Sequence, residues 1–224
     1  MLKKKIYSVF KSLPKPLQIY IRWNYAVWYR DNYTHKYKNK IIKKWKSNGE
    51  PLPPPHVCKQ QMIEHYRDKF KCNVLVETGT YLGEMVNAQK RNFNKIYSIE
   101  LSKELFTLAK KRFKKYRHIT IIHGDSGDKI KVVIDELKEP AIFWLDGHYS
   151  AGVTAMGSKE CPIYKELDAI FNKHFKHIIL IDDARCFTGK NDYPDVHSLT
   201  EYVLSKNKMY NVKVCNDIIQ YYID

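Results

Sequence analysis

Acidic side chains follow five apolar stretches of strand length in this sequence, at or just beyond the point where each stretch ends. They are Glu77, Glu100, Asp125, Asp146 and Asp182. Neighbouring like charges repel, so a row of acids at one edge of a sheet is hard to explain by stability. The row predicts a site that binds an amine, hydroxyl groups or a cation.

A glycine turn follows the first of these acids. Gly79 and Gly83 have the spacing G-x-x-x-G, which differs from the G-x-G-x-x-G of a dinucleotide-binding turn. Gly79 can take a positive φ and let a ligand approach the backbone, and the acid Glu77 just before it suits a cationic amine better than a pyrophosphate. Glu100 closes the second strand, where a carboxylate can accept both hydroxyls of a ribose. A purely structural turn and a nicotinamide enzyme are the alternatives.

The elements that position these residues alternate between strands and helices. Strands of this apolar character, separated by amphipathic segments of helix length, predict a parallel sheet covered by helices on both faces. The last sixteen residues, 209–224, read as two short strands around Asn216 and Asp217. We therefore predict an α/β fold with a Rossmann-like, doubly wound, mostly parallel seven-stranded sheet and an antiparallel C-terminal hairpin. The first five predicted strands are 74–77, 96–100, 119–123, 141–146 and 178–182.

Three carboxylates are expected to meet at the ends of the fourth and fifth strands. Asp146 follows strand four, and the pair Asp182-Asp183 follows strand five. Three acids in an apolar crevice repel one another unless protons or a cation intervene. Mg²⁺ fits such an all-oxygen set better than zinc, which prefers His or Cys. Asp183 has two alternative roles, capping the following segment or pairing with Arg185.

The loop after strand four carries the other candidate groups. His148, two residues beyond Asp146, titrates near pH 7 and is the best placed general base. A histidine satisfied by the backbone is the alternative. We expect Asp146 to share the catalytic site and Tyr149 and Arg185 to contact the substrate. Glu166 could line an acceptor pocket, but the pattern favours a solvated helix face.

E-T-G-T-Y-L-G, followed by an acid that closes strand two and by HGDSGD after strand three, resembles the class I S-adenosylmethionine-dependent methyltransferases. The resemblance covers roughly residues 60–224. It implies that Gly79 and its neighbours pass under the methionine part of the cofactor, that Glu100 holds the ribose and that Asp125 and Ser126 face the adenine. The full set expected to bind S-adenosylmethionine is Glu77, Thr78, Gly79, Thr80, Tyr81, Gly83, Glu100, Leu101, Asp125, Ser126 and Asp146.

The acids after strands four and five add a second resemblance, to metal-dependent O-methyltransferases of the catechol and macrocin types. In those families one acid after strand four and an acidic or amide pair after strand five bind a metal, which two substrate hydroxyls chelate. The resemblance implies Mg²⁺ on Asp146, Asp182 and Asp183, and methyl transfer to a hydroxyl of a sugar, a glycan or another small molecule. The loop LDGHYSAGVTAMGSKECP, 145–162, departs from both families' sequences.

The positive charge is concentrated at the N-terminus. Residues 1–50 hold 13 Lys and Arg against two acids, a net +11 out of the total +15. We predict a basic, aromatic, helical arm with a proline-rich linker over 1–55 and the methyltransferase domain over 56–224. The arm could pack on the domain, could lie on an anionic membrane through residues 1–46, or could grip nucleic acid.

Two other function classes remain open. A nucleic-acid methyltransferase is disfavoured because the chain lacks the N/D-P-P-Y segment after strand four, although an RNA 2′-O-methyltransferase would need none. A scaffold that lost its chemistry would have little reason to keep three clustered acids. The chain lacks a convincing signal peptide, so we expect a cytoplasmic protein, in peripheral contact with the inner face of the membrane if the arm binds there. Five widely spaced cysteines indicate no disulfide framework or zinc site, and a homo-oligomer is left open.

Overall fold

The computed structural model describes residues 12–29, 36–147 and 161–224. Within them one sheet of seven strands has the order β3-β2-β1-β4-β5-β7-β6. β7 runs antiparallel to both of its neighbours, and the other pairs are parallel. The strands are β1 (Val74–Thr78), β2 (Lys95–Glu100), β3 (Ile119–His123), β4 (Ala141–Leu145), β5 (Ile178–Ile181), β6 (Asn211–Cys215) and β7 (Ile218–Tyr222).

Helices precede the sheet and connect its strands. The α-helices are α1 (Lys15–Tyr29), α2 (Lys38–Ser47), α3 (His56–Phe70), α4 (Glu84–Gln89), α5 (Lys103–Phe113), α6 (Ser126–Glu136), α7 (Ile163–Phe171) and α8 (Val196–Lys206), and a short 3₁₀ turn covers Ala184–Cys186. Residues 48–55, which include the predicted linker prolines, separate α2 from α3 without regular structure. Prolines in succession cannot continue a helix.

The central strands are apolar on both faces because helices cover both. β1, β4 and β5 are buried at every position. One apolar cluster joins Val76 and Phe143 to α6, α7 and α8, and another joins Leu75 and Trp144 to α3, α4 and α5. Alternate residues of each strand face opposite layers. The five predicted parallel strands lie within one or two residues of the observed ones.

The strand order reverses between β1 and β4. The chain places β2 and β3 on one side of β1 and then returns to place β4 and β5 on the other side. Ligands of open α/β sheets bind outside the carboxyl ends of the strands at such a point. The C-terminal hairpin turns at Asn216 and Asp217, whose φ angles are 53° and 63°. Positive φ at both turn residues matches the right-handed twist of the two strands. The predicted fold class is confirmed, including the antiparallel hairpin.

The N-terminal helices contact the rest of the protein through tryptophans. Trp23 of α1 packs in one cluster with Leu82 and Leu105. Trp45 of α2 packs with Val57 and Cys58 of α3. Among the described residues, no helix combines the length and hydropathy that crossing a bilayer requires.

Candidate active site

The turn after β1 uses left-handed backbone three times in five residues. The φ angles are 84° at Gly79, 47° at Tyr81 and 70° at Gly83. A Cβ atom on Gly79 would overlap the carbonyl oxygen of Asp146, and one on Gly83 would lie 2.6 Å from the ring of Phe113. Glycine is needed at both places, since only glycine takes positive φ without steric cost and leaves this space.

Glu100 at the end of β2 is joined to this turn. Its side chain is buried and accepts a hydrogen bond from the backbone N–H of Tyr81 at 2.7 Å and from that of Ser102 at 2.8 Å. Burial raises the pKa of Glu100, while these backbone donors oppose the rise. Each carboxylate oxygen has a further lone pair, so Glu100 can still accept hydrogen bonds from a ligand's hydroxyls. Leu101 follows it, half-buried.

Glu77 at the end of β1 is almost fully buried, with 2% of its surface exposed. It accepts a hydrogen bond from the hydroxyl of Ser98, which also lies 2.6 Å from the hydroxyl of Thr80. Burial raises the pKa of Glu77 to about 8, and the negative charge of Glu100 adds to the rise. Glu77 therefore changes charge near neutral pH, directly beside the glycine turn.

Polar groups also gather on the opposite face of the sheet, behind Gly147. A Cβ atom on Gly147 would lie 3.0 Å from the hydroxyl oxygens of Thr78 and Ser126 and 3.2 Å from Oε1 of Glu166. Glu166 is 2% exposed, so the expectation of a solvated helix face is wrong. Burial raises the pKa of Glu166 to about 7, and the hydroxyls of Ser126 and Thr78 oppose the rise. The helix face that carries Glu166 is turned inward because α7 packs on α6.

Asp125 begins helix α6. Its Oδ1 atom accepts a hydrogen bond from the backbone N–H of Gly127 at 2.9 Å, so it is the N-cap of that helix. An Asp at this position satisfies a backbone donor that the helix cannot. Ser126, which follows, is buried. The predicted adenine contact of these two residues stays a prediction.

The acids at the ends of β4 and β5 lie beside a lysine. The ammonium of Lys59, on α3, donates a hydrogen bond to Oδ2 of Asp182 and lies 3.5 Å from Oδ1 of Asp183. Asp182 is fully buried, and its Oδ1 atom accepts the backbone N–H of Asp183 at 2.8 Å. Burial raises the pKa of Asp182 to about 6, although Lys59 opposes the rise. Burial and then Asp182 raise the pKa of Asp146 well above its ordinary range, with Lys59 again opposing.

Asp183 pairs with Arg185, which was one of its two alternative roles in the sequence analysis. Its Oδ1 atom accepts a hydrogen bond at 2.9 Å from the guanidinium of Arg185. The same guanidinium also pairs with Asp217, which accepts the backbone N–H of Arg185 at 2.9 Å. Arg185 is thus paired with two carboxylates, and its predicted substrate contact stays a prediction. His148 and Tyr149 lie outside the described residues.

Two of the predicted Mg²⁺ ligands, Asp182 and Asp183, lie beside the ammonium of Lys59. In residues 12–29, 36–147 and 161–224, no group of three or more His, Cys, Asp or Glu side chains is arranged to hold a metal ion. Lys59 supplies a positive charge between Asp182 and Asp183 and is also attracted by Asp146. As placed, these residues suit an ammonium and not a hexacoordinate Mg²⁺.

Sequence reasoning missed Lys59 and Ser98. Lys59 lies 123 residues before Asp182, so no local motif joins them. The available signal is periodic: Lys59 shares a helix face with the buried residues Ile63 and Tyr66. A lysine on such a face needs a buried partner. Ser98 had a similar signal, since it is a polar residue in the middle of a buried strand.

These features define the class of the fold, a seven-stranded methyltransferase sheet with a glycine turn after β1 and an acid closing β2. Structure comparison agrees. Similar solved structures are the O-methyltransferase TomG from Streptomyces achromogenes in complex with SAM (TM-score 0.56, 11% identity, 91% of this chain and 98% of that one) and a putative caffeoyl-CoA O-methyltransferase from Staphylococcus aureus (0.55, 12%, 91% and 100%). An O-methyltransferase from Bacillus cereus in complex with SAH is also similar (0.55, 11%, 88% and 96%).

At these identities the likeness shows the fold. The chain has the fold of class I S-adenosylmethionine-dependent O-methyltransferases, as the sequence resemblance implied. No family profile matches the sequence, and no curated protein sequence matches it.

Proposed function

We propose that the protein is an S-adenosylmethionine-dependent O-methyltransferase that acts on a hydroxyl group of a sugar, a glycan or another small molecule. The observation that carries the proposal is the hydrogen bond from Tyr81 N–H to Glu100, which couples the glycine turn to the acid closing β2. The turn proposed to pass under the cofactor's methionine part and the acid proposed to hold its ribose are therefore neighbours at the switch point of the sheet, which supports the proposal. SAM and SAH occupy two of the similar O-methyltransferases, which supports this cofactor.

The chain's contribution would be binding and orientation. The turn at Gly79 would pass under the ligand's methionine part, and Glu100 would offer lone pairs to the ribose hydroxyls. In the reaction the acceptor oxygen attacks the methyl carbon of the donor while the carbon–sulfur bond breaks, the bonding pair returns to sulfur, and the hydroxyl proton passes to a base. We propose His148 as that base, and Asp146, two residues earlier in the sequence at the end of β4, as the second catalytic residue.

The acceptor and the metal belong to the finer part of the proposal. A polar, acid-rich edge beyond β4 and β5 supports an acceptor with hydroxyl groups. Mg²⁺ on Asp146, Asp182 and Asp183 would lower the pKa of an acceptor hydroxyl. The ammonium of Lys59 beside two of these carboxylates counts against Mg²⁺.

Features of the N-terminal arm favour an acceptor that is located at a membrane. Trp23 of α1 packs in a cluster with Leu82 and Leu105, whereas Tyr25 and Trp28 of the same helix are 66% and 62% exposed. Leu17, Tyr20 and Ile21 are also exposed. Exposed aromatic and aliphatic side chains on a helix in a strongly basic segment are typical of helices that lie in a membrane interface. We therefore propose that α1 places the protein on an anionic membrane surface.

The first test is thermal stabilisation by S-adenosylhomocysteine, with NAD as the control. A ligand at a hundred times its dissociation constant adds roughly 2.7 kcal/mol of stability, which is seen as a rise in melting temperature. A rise with S-adenosylhomocysteine alone is expected. No rise, or an equal rise with NAD, would contradict the cofactor.

The second test separates a small acceptor from RNA. Release of S-adenosylhomocysteine should be followed with catechol, with nucleotide sugars and with a structured RNA. Turnover with a hydroxyl compound and not with RNA is expected. RNA methylation with an affinity that falls steeply with salt would instead support the RNA 2′-O-methyltransferase.

A further inference from the structure

The carboxyl edge of the sheet already contains a cation of its own. Lys59 lies mostly inside the protein, with 12% of its side chain exposed. Its partners Asp182 and Asp183 have 1% and 18% of their side chains exposed. A lysine this buried is stabilised only by paired charges. Helix α3 therefore presents its ammonium to the same carboxylates that the sequence assigns to a metal.

An ammonium and a divalent cation cannot both occupy this cluster favourably. Mg²⁺ requires oxygen ligands at about 2.0–2.1 Å in an octahedron. The hydrogen bond from Lys59 uses one oxygen of Asp182, the backbone N–H of Asp183 uses the other, and Arg185 uses Oδ1 of Asp183. These donors approach three of the four carboxylate oxygens of Asp182 and Asp183, and a divalent metal bound to the same carboxylates would be repelled by the positive charge of Lys59.

We infer that Lys59 is the fixed cation of the active site, replaces the divalent metal, and orients the acceptor hydroxyl between the ends of β4 and β5. This inference rests on the proposed methyl transfer. An ammonium has three donors, so Lys59 can hold Asp182 and Asp183 and still donate to an acceptor oxygen. The positioning role of the metal is then performed by a side chain, and the reaction needs no added divalent ion.

The test uses Mn²⁺, which binds carboxylate oxygens as Mg²⁺ does and is visible by electron paramagnetic resonance. Wild-type protein, Lys59→Ala and Lys59→Arg are titrated with Mn²⁺, and melting temperatures are recorded with and without it. Lys69→Ala is the matched control, because Lys69 lies on the same helix and pairs with Asp224 at the surface.

Only Lys59→Ala is expected to gain a Mn²⁺ site, one per chain, and a melting temperature that Mn²⁺ raises. Wild type, Lys59→Arg and Lys69→Ala should show neither change. A role of Lys59 in stability alone would lower the melting temperature without creating a metal site. A wild-type Mn²⁺ site that Asp182→Asn abolishes would overturn the inference, and so would the absence of a site in a folded Lys59→Ala.

Wild type and Lys59→Arg alone keep the test decisive if Lys59→Ala fails to fold, because Mn²⁺ binding to either contradicts the inference. Binding of S-adenosylhomocysteine is measured on the same samples. Its absence in wild type would count against the proposed function, whatever the Mn²⁺ result. The two failures are therefore distinguishable.

Discussion

The α-carbon of Gly79 lies so close to the carbonyl oxygen of Asp146 that no side chain fits between them. The turn after β1 and the strand end of β4 are thus in direct backbone contact. Gly79→Ala should therefore lower the free energy of unfolding through two effects. The left-handed backbone costs alanine about 1–2 kcal/mol, and the overlap of its Cβ atom with the carbonyl oxygen of Asp146 costs about 1–3 kcal/mol. Urea unfolding measures the sum.

Gly49→Ala is the matched control for this prediction. Gly49 has nearly the same φ, 81° against 84°, but a Cβ atom there would meet nothing within 4 Å. The control should lose only the backbone contribution. Equal losses in the two variants would show that the contact with Asp146 has no energetic consequence.

Replacing Glu100 should weaken cofactor binding. Glu100→Gln removes the charge that accepts hydroxyl donors, and hydrogen bonds to a charged group are worth about 1.5–3 kcal/mol. The affinity for S-adenosylhomocysteine, measured by calorimetry, should fall about 10- to 100-fold. Glu139→Gln, just before the amino end of β4, should bind as wild type does. Unchanged binding by Glu100→Gln would remove Glu100 from the site.

Glu77 should make stability depend on pH. Its pKa is raised from 4.5 to about 8, so folding favours the protonated carboxyl. That contribution is full below pH 4.5 and is lost as the pH rises toward 8. Glu77→Gln stays neutral, and it should gain stability relative to wild type between pH 5 and pH 8. At roughly 1.4 kcal/mol per pKa unit, urea unfolding at three pH values resolves the difference. Parallel pH profiles would mean that Glu77 is ionised in the folded protein throughout.

The exposed face of α1 should bind anionic vesicles. Sedimentation with phosphatidylserine vesicles should recover the protein, and phosphatidylcholine vesicles should recover much less because the arm is basic. Tyr25→Ser combined with Trp28→Ser should lower binding by about tenfold or more. The control pair, Val132→Ser and Met209→Ser, changes side chains that are 51% and 63% exposed elsewhere. Equal losses in both pairs would exclude a specific role for α1.

Much of the fold could be predicted because its signals are local. A few consecutive residues are enough to predict each of the five apolar strands, the glycine turn and the hairpin at Asn216 and Asp217. The acid row followed from the same pattern, since parallel strands place their carboxyl ends at one edge. Glu77 and Glu100 accordingly lie where the sequence placed them, at the ends of β1 and β2.

The partners of these residues were harder to predict, because they come from distant parts of the chain. Neither Lys59 beside Asp182 nor Ser98 beside Glu77 belongs to a sequence motif. Glu166 was misjudged because a single acid on a helix is normally solvated, and only the packing of α7 on α6 buries it. Long-range pairing of polar groups depends on helix placement, which periodicity does not specify.

Because Trp23 and Leu82 belong to one apolar cluster, the packing of α1 contributes to the stability of the glycine turn after β1. Leu82 lies inside that turn, directly before Gly83, so the turn is ordered partly by a helix outside the sheet. An interaction that separates α1 from Leu82 and Leu105 should destabilise the turn. A ligand that orders the turn should in return favour the packed position of α1. Linkage makes the two effects equal in free energy. If the turn binds the proposed cofactor, occupancy of that site and packing of α1 on the domain strengthen each other by the same amount.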